Sequence, residues 1–375
     1  MKERVFLAEC RDYGEENVRF AVHRALDAFG GAEALAGGKK VLLKANLLMS
    51  CSPDEAVTTH PNVVEALVRE FMSAGCEVEI ADSCGGLYNE DVLRTLYGVC
   101  GMSRVAERTG AKLNYDTLSF EMPVPNGVKI KKVQVISPVK RADFIVSVAK
   151  MKTHGLTYYT GAAKNMFGVI PGLQKAVMHS RFPDKKAFCN MLVDLCEAVA
   201  PNLSFIDGVV GMEGAGPSGG KPKSAGVIVA SKNPYAADIA AMDIMGLDKN
   251  KSPLHMLASK RSLVGEVELL GDAVENFRTQ FEPAYTREPR TVLMVFPGAL
   301  RKYVERMVAK YPNIVEGKCV GCGECVKSCP EHTIELKDGK ASVKHEKCIR
   351  CYCCQEMCPA RAIVIERLSK FKKRK

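Results

Sequence analysis

Eight cysteines near the C-terminal end place the tightest constraint on this 375-residue chain. Cys319, Cys322, Cys325 and Cys329 run as C-x2-C-x2-C-x3-C and close on Pro330. Cys348, Cys351, Cys354 and Cys358 repeat the run and close on Pro359. Two complete runs of this spacing are the ligand pattern of two 4Fe-4S clusters, in which three close thiolates wrap one cluster and the fourth comes from the other run. Cys319, Cys322, Cys325 and Cys358 are therefore expected around one cluster, and Cys348, Cys351, Cys354 and Cys329 around the second. Gly321 and Gly323 allow tight turns around sulfur, and the two prolines fix the chain just past the fourth ligand. Structural zinc is the competing reading, but zinc commonly takes C-x2-C pairs separated by a longer loop. Cys353 is supernumerary: Cys354 keeps the register, so Cys353 reads as a bystander packed near a cluster.

The seven cysteines before residue 318 show no metal-ligand spacing. Exposed disulfides sit badly beside thiolate-ligated iron, so the expected setting is a reducing cytoplasm. The N-terminal stretch has no signal-peptide core, and no later run approaches about 18 uninterrupted apolar residues, so no transmembrane segment is expected. The net charge is +10, and five of the six residues 370–375 are basic. Neither helix-turn-helix nor zinc-finger spacing accompanies that charge, which speaks against nucleic acid. The tail reads instead as solvated, or as a docking patch for an acidic redox partner protein.

Upstream, the pattern is α/β. Residues 39–48 read as a strand, Pro61 opens a helix capped by Thr59 or His60 with Val64, Leu67, Val68 and Phe71 on one face, and 76–81 read as the next strand. Strand, helix and strand with a Gly stop make a βαβ unit. Further strands are expected at 142–149, 203–207 and 225–230, with a more exposed strand or hairpin arm at 127–137. Helices are expected at 104–109, 187–200 and 235–245. The predicted fold class is α/β, a large three-layer mixed domain over 1–280. A connecting segment over 281–311, with a strand at 291–296 and a helix at 300–309, leads to a small ferredoxin-like α+β domain over 312–368 and a basic tail over 369–375. In the small domain 333–336 and 362–365 read as matched strands of an internal repeat.

Two polar constellations stand out in the large domain. The first runs K-M-K-T-H, T-G-A-A-K-N and G-V-I-P-G to His179, starting where the 142–149 strand ends. Lys150, Lys152, Lys164 and Asn165 would bind an anionic small molecule or a cofactor's phosphoryl group, with Thr157, Thr160 and the Gly161 amide as neutral donors. His154 and His179 are candidates for proton transfer near neutral pH. The second, from Asp207 to Lys221, is glycine-rich, and Gly214 and Gly216 could bring backbone amides to an anion. Glu213 inside it, and Asp238 among alanines further on, complete the candidate catalytic set. Asn46, Thr58, Thr59, His60, Asp82 and Ser83 form a candidate opposite wall. No nicotinamide fingerprint, P-loop or catalytic-zinc motif is present.

The stretches 44–61, 82–86, 150–172 with His179, and 207–222 running on to Asp238 resemble the domain-of-unknown-function family number 362, here fused to a bacterial-type two-cluster ferredoxin module at about 312–367. The resemblance implies an iron-sulfur protein of redox metabolism whose large domain binds a small ligand. On this reading single electrons pass through two 4Fe-4S clusters to an anionic substrate or cofactor in the α/β cleft. A flavin is possible, although no motif indicates one. The competing expectations are a non-catalytic electron-transfer protein and a redox-independent enzyme with structural clusters.

Overall fold

The computed structural model describes residues 2–284 and 309–367. The strands are β1 Lys2–Glu9, β2 Lys40–Ala45, β3 Glu77–Ala81, β4 Lys112–Leu113, β5 Ser119–Pro123, β6 Lys132–Ile136, β7 Phe144–His154, β8 Tyr158–Thr160, β9 Leu203–Glu213, β10 Lys221–Ser231, β11 Glu266–Gly271, β12 Lys310–Ile314, β13 Ile334–Lys337, β14 Lys340–Val343 and β15 Ile363–Arg367. One nine-stranded sheet carries the order β11-β1-β10-β9-β7-β2-β3-β4, with β8 paired to β7. The β9-β7-β2-β3-β4 stretch is parallel. β10 breaks that sense, being antiparallel to both of its neighbours, so β1 and β11 run in the same direction as the parallel stretch.

Alternation along the central strands explains the three layers. Val41, Leu43 and Ala45 of β2 enter one core with Val146, Val148 and Phe205, while Leu42 and Ile145 enter the opposite core. A strand buried on both faces needs apolar residues at every position, as a central parallel strand does. Helices Glu15–Asp27 and Pro61–Ser73 cover the first face, and Lys185–Val199 and Pro234–Ile244 the other. The Pro61 helix starts as its sequence requires: proline takes the first turn, and His60 Nδ1 accepts the Asn62 amide at 3.2 Å.

The mixed α/β fold with a small ferredoxin-like α+β module stands as expected, but several boundaries move. β7 runs on through Lys150, Met151, Lys152, Thr153 and His154, so the first polar constellation lies largely within a strand. β9 extends to Glu213, which places Asp207 and Gly208 inside the sheet as well. The 127–137 region contributes the second strand of the β5-β6 hairpin. β1 and β11 carry no strong sequence signal, and they pair in parallel with each other. In the module β13 pairs with β14 and β12 with β15, so the two repeat strands do not pair with each other. The expected strand at 291–296, nearly all of the connecting helix at 300–309 and the basic tail lie outside the described residues.

Candidate functional site

The ferredoxin-like module gathers its thiols into two cages. Cys319, Cys322, Cys325 and Cys358 line one cavity of about 330 Å³ with Ile314, Leu336 and Ile363. Cys329, Cys348, Cys351 and Cys354 line another of about 310 Å³. Backbone amides point at the sulfurs: Ala341 N donates to Cys319 Sγ at 3.4 Å, Ala362 N to Cys358 Sγ at 3.2 Å and Thr333 N to Cys329 Sγ at 3.3 Å. Donors aimed at sulfur in an apolar cage suit thiolate-bound iron-sulfur clusters. Among the described residues no three His, Cys, Asp or Glu side chains converge as a single-ion site. Rings of thiols around a volume suit a polynuclear cluster better than a lone zinc ion.

A cleft of about 730 Å³ lies where the module meets the carboxyl edge of the large sheet. Open parallel sheets offer their ligand crevice at that edge. Asn46 and Leu48 follow β2, Asp82, Ser83 and Gly85 follow β3, and Lys152 lies near the end of β7. The short helix Ala162–Asn165 adds Lys164 and Asn165, and the helix Gln174–Arg181 adds Lys175 and His179. Ser328, Cys353, Glu356 and Met357 of the module form the facing wall. The module is seated by Ser218 Oγ, which donates to Glu356 O at 2.9 Å, and by an Arg361–Glu55 ion pair. Gly85 permits this seating, because a Cβ there would fall 2.2 Å from Met357 Sδ.

The lysines at and beneath the cleft divide by how fully their ammonium groups are engaged. Lys44 Nζ meets Asp82 Oδ1 at 2.8 Å, Asn165 Oδ1 at 2.9 Å and Ala45 O at 2.6 Å. Lys175 Nζ donates to Ser83 Oγ and to three backbone carbonyls. Lys152 Nζ donates to Asn46 Oδ1 and Val57 O, both at 2.7 Å, which leaves one N–H unused. Burial, and then the neighbouring Lys164, push its ionisation down to about 7. Lys164 has no hydrogen-bond or ion-pair partner among the described residues and only rests near the Phe167 ring, 5.6 Å away. His179, stacked on Phe188 at 4.2 Å, is lowered to about 3 by burial and by Lys164. The cleft therefore presents an unsatisfied ammonium, a spare N–H and a neutral imidazole beside apolar Phe167, Leu173 and Met357.

Several residues singled out from sequence lie elsewhere. Lys150 is sealed in an ion pair with Asp207 at 2.9 Å and a hydrogen bond to Tyr13 Oη at 2.6 Å. Glu213 pairs with Lys223 at 3.1 Å and accepts the Glu282 amide, away from the cleft. Gly216 serves the backbone: a Cβ there would fall 2.1 Å from Thr153 O. Gly214, at φ 75°, bonds Glu282 O and accepts Thr153 Oγ1. Neither glycine lines the cleft, although Pro217 does. His154 sits just behind the cleft: its Nδ1 accepts the Leu156 amide, and Nε2 faces Glu356 Oε1 at 3.3 Å. Thr59 Oγ1 donates to Val148 O, and the His60 amide donates to Asp207, so both are structural.

Asp238 also leaves the catalytic set. Ser252 Oγ lies 2.7 Å from His255 Nδ1, and His255 Nε2 lies 3.0 Å from Asp238 Oδ2. The order mimics a nucleophile, base and acid, yet all three are buried and none lines the cleft. The Asp238 oxygens instead accept the Ala162 and Ala163 amides, capping the short helix that displays Lys164. Asp238→Ala should lower stability by about 1–3 kcal/mol, because buried amides lose their acceptor. Asp238→Asn should lose less. Chemical denaturation followed by circular dichroism checks this, and equal losses would contradict the capping role.

His60, half-buried, and His179, buried, are held neutral, lowered by burial to about 4 and about 3. The unfolded chain binds the extra protons below its ordinary imidazole value of about 6.5, so stability is complete above that pH and falls as the pH drops toward the folded values. The slope should be on the order of 1 kcal/mol per pH unit for each ring. Comparing denaturation of the wild type and His179→Phe between pH 4.5 and 7.5 should show a shallower acid loss in the variant.

Cleft residues outside the sequence-based set are Phe167, Lys175, Ser328, Glu356 and Met357. Glu356 and Met357 fall in the three-residue spacer before Cys358, where cysteine spacing says nothing about which side chains face outward.

Fold and site together define an α/β protein whose cleft has a ferredoxin-type module as one wall. Residues 41–243 match the family model described as "Domain of unknown function (DUF362)", and residues 311–359 match that of a 4Fe-4S dicluster domain. The chain belongs to the DUF362 family. A thylakoid-associated protein of Synechocystis is 30% identical over 269 residues, covering 70% of this chain and 80% of that protein. Ferredoxin-2 of Desulfomicrobium norvegicum is 56% identical over 32 residues, 8% of this chain and 54% of the ferredoxin. Among solved structures, the lactate racemase apoprotein of Thermoanaerobacterium thermosaccharolyticum matches with a TM-score of 0.41 at 15% identity, covering 66% of this chain and 57% of that one. No helix among the described residues is long and apolar enough to cross a membrane.

Proposed function

We propose that this protein carries single electrons, received from a redox partner protein, through two 4Fe-4S clusters to an anionic small molecule held in the cleft. The observation that supports this most is the shared wall: Cys353, Glu356 and Met357, from the segment that carries the thiols, face the same space as Lys152, Lys164 and His179. Cys319, Cys322, Cys325 and Cys358 would hold one cluster and Cys329, Cys348, Cys351 and Cys354 the other. When bound, such clusters supply one electron at a time. Lys164, with its unpaired ammonium, would hold the ligand's anionic group, aided by the free Lys152 N–H. Phe167, Leu173 and Met357 would cover its apolar part and exclude water. His179, neutral and open to the cleft, would offer the ligand a hydrogen bond from its ring. A phosphorylated cofactor such as a flavin nucleotide falls within this ligand class.

Anaerobic purification should give roughly eight irons per chain, two clusters of four. Acid extraction of that protein should release an anionic compound, identified by mass spectrometry, that is absent from Lys164→Met preparations. Protein without iron, or an identical extract from the variant, would refute the reading. Affinity for that compound should also fall as the pH rises through about 7, where Lys152 loses its proton. A flat profile from pH 6 to 8 would remove Lys152 from the binding set.

A further inference from the structure

We propose that Cys353 couples the cleft to one cage only, that of Cys329, Cys348, Cys351 and Cys354, while the cage of Cys319, Cys322, Cys325 and Cys358 serves the solvent side. The inference rests on the reading that both cages hold clusters.

The two cages have unequal surroundings. The first is open: Cys322 is exposed, and Val320 and Leu336, which also line it, are 69% and 48% exposed. None of its four thiols lines the cleft. The second abuts the cleft, with Cys348 and Cys351 half-buried. Ser328, adjacent to its ligand Cys329, lines the cleft, and so does Cys353, adjacent to its ligand Cys354. Cys353 opens the short helix Cys353–Glu356, whose second residue is the ligand Cys354. On the cleft side, Cys353 lines the same space as Lys164 and Glu356. One buried side chain thus stands next to a ligand of the inner cage while lining the cleft that holds Lys164.

Hydrogen bonds to ligand sulfur and nearby positive charge favour the reduced, more negative state of an iron-sulfur centre and raise its potential. Charge acts strongly across a dry protein interior and weakly across solvent. The Lys164 ammonium, and any anion that neutralises it, should therefore be felt at the inner cage and screened at the outer one. Cys353 is a positioning residue in this scheme, because it acts through the adjoining ligand Cys354. By linkage, an anion in the cleft disfavours reduction at the inner cage, and reduction there weakens the anion's binding by the same factor.

The test is a redox titration of anaerobically purified full-length protein with dithionite, followed by electron paramagnetic resonance. Each couple takes one electron from dithionite, with no bond made or broken in the protein. Thr333→Val removes the hydroxyl 3.2 Å from Cys329 Sγ and marks the inner couple. Lys340→Met removes the ammonium that donates to Cys319 O and marks the outer one. Soluble chromium(III) oxalate should relax the outer signal more strongly. Lys164→Met should move the couple marked by Thr333→Val to lower potential and leave the other in place. Cys353→Ala should move the same couple and not the other, and Lys164→Met decides the matter if Cys353→Ala fails to retain iron. Movement of the Lys340-marked couple, of both equally, or of neither would overturn the assignment. Wild-type protein without iron would instead refute the underlying reading of the cages.

Discussion

Replacing Cys358 with alanine should abolish the same cluster signal as replacing Cys319, and a different one from that lost on replacing Cys348. Cys358 belongs to the second sequence run, yet its thiol lines the cavity of the first, beside Cys319, Cys322 and Cys325. Each single replacement should drop the iron content from roughly eight to roughly four per chain. Iron and sulfide analysis with paramagnetic resonance would measure both effects. Cys353→Ala, outside either ring of thiols, should keep the full iron content. If Cys358→Ala and Cys348→Ala erased the same signal, the crossed arrangement would be wrong. The effect is large because an incomplete ring leaves iron open to solvent and to loss.

Asp82→Ala should be among the most destabilising replacements in the α/β domain. Asp82 and Lys44 are both buried, 2.8 Å apart, directly beneath the cleft. Asp82 also accepts the Leu47 amide, which fixes the turn that follows β2. Burial alone lowers the Lys44 ionisation, and Asp82 is the main opposing influence. Removing one partner leaves a buried charge unpaired, at a cost of about 3–5 kcal/mol. That is a large share of the roughly 5–15 kcal/mol that holds a typical domain folded. The double replacement Lys44→Met with Asp82→Leu should recover most of the loss, because an apolar pair of similar volume needs no counter-charge. Denaturation curves for the single and double variants would settle this, and equal losses would sink the argument.

The cysteine runs made the module legible because ligand spacing is a local property of the chain. The βαβ beginning was readable for a similar reason: Pro61, His60 and the apolar face of the helix are short-range signals. The cleft was only half legible. Lys152, Lys164, Asn165, His179, Asp82 and Ser83 do line it, since each lies close to the carboxyl end of a strand or on the loops and helices that follow. Lys150 resembles Lys152 in the sequence, yet its ammonium is taken by Asp207, a partner 57 residues away. Glu213 and Asp238 likewise look unengaged until distant chain arrives, as the Glu282 amide and as the amides of residues 162 and 163. Pairing across the sheet decides which polar groups remain free, and single-residue patterns do not record it. β1 and β11 escaped notice because their outward positions carry charged residues such as Lys2, Glu3, Glu266 and Glu268, which interrupt the apolar run.

A cleft with walls from two parts of the chain has a thermodynamic corollary. Any occupant touching both Lys164 and Met357 acts as a staple, and by mass action it strengthens the seating of one part on the other by RT ln(1 + [L]/Kd). At a hundredfold excess over Kd that amounts to about 2.7 kcal/mol, comparable to several of the polar contacts that hold the seam. Occupancy would then be legible as slower proteolysis at the seam, without any knowledge of what the occupant becomes.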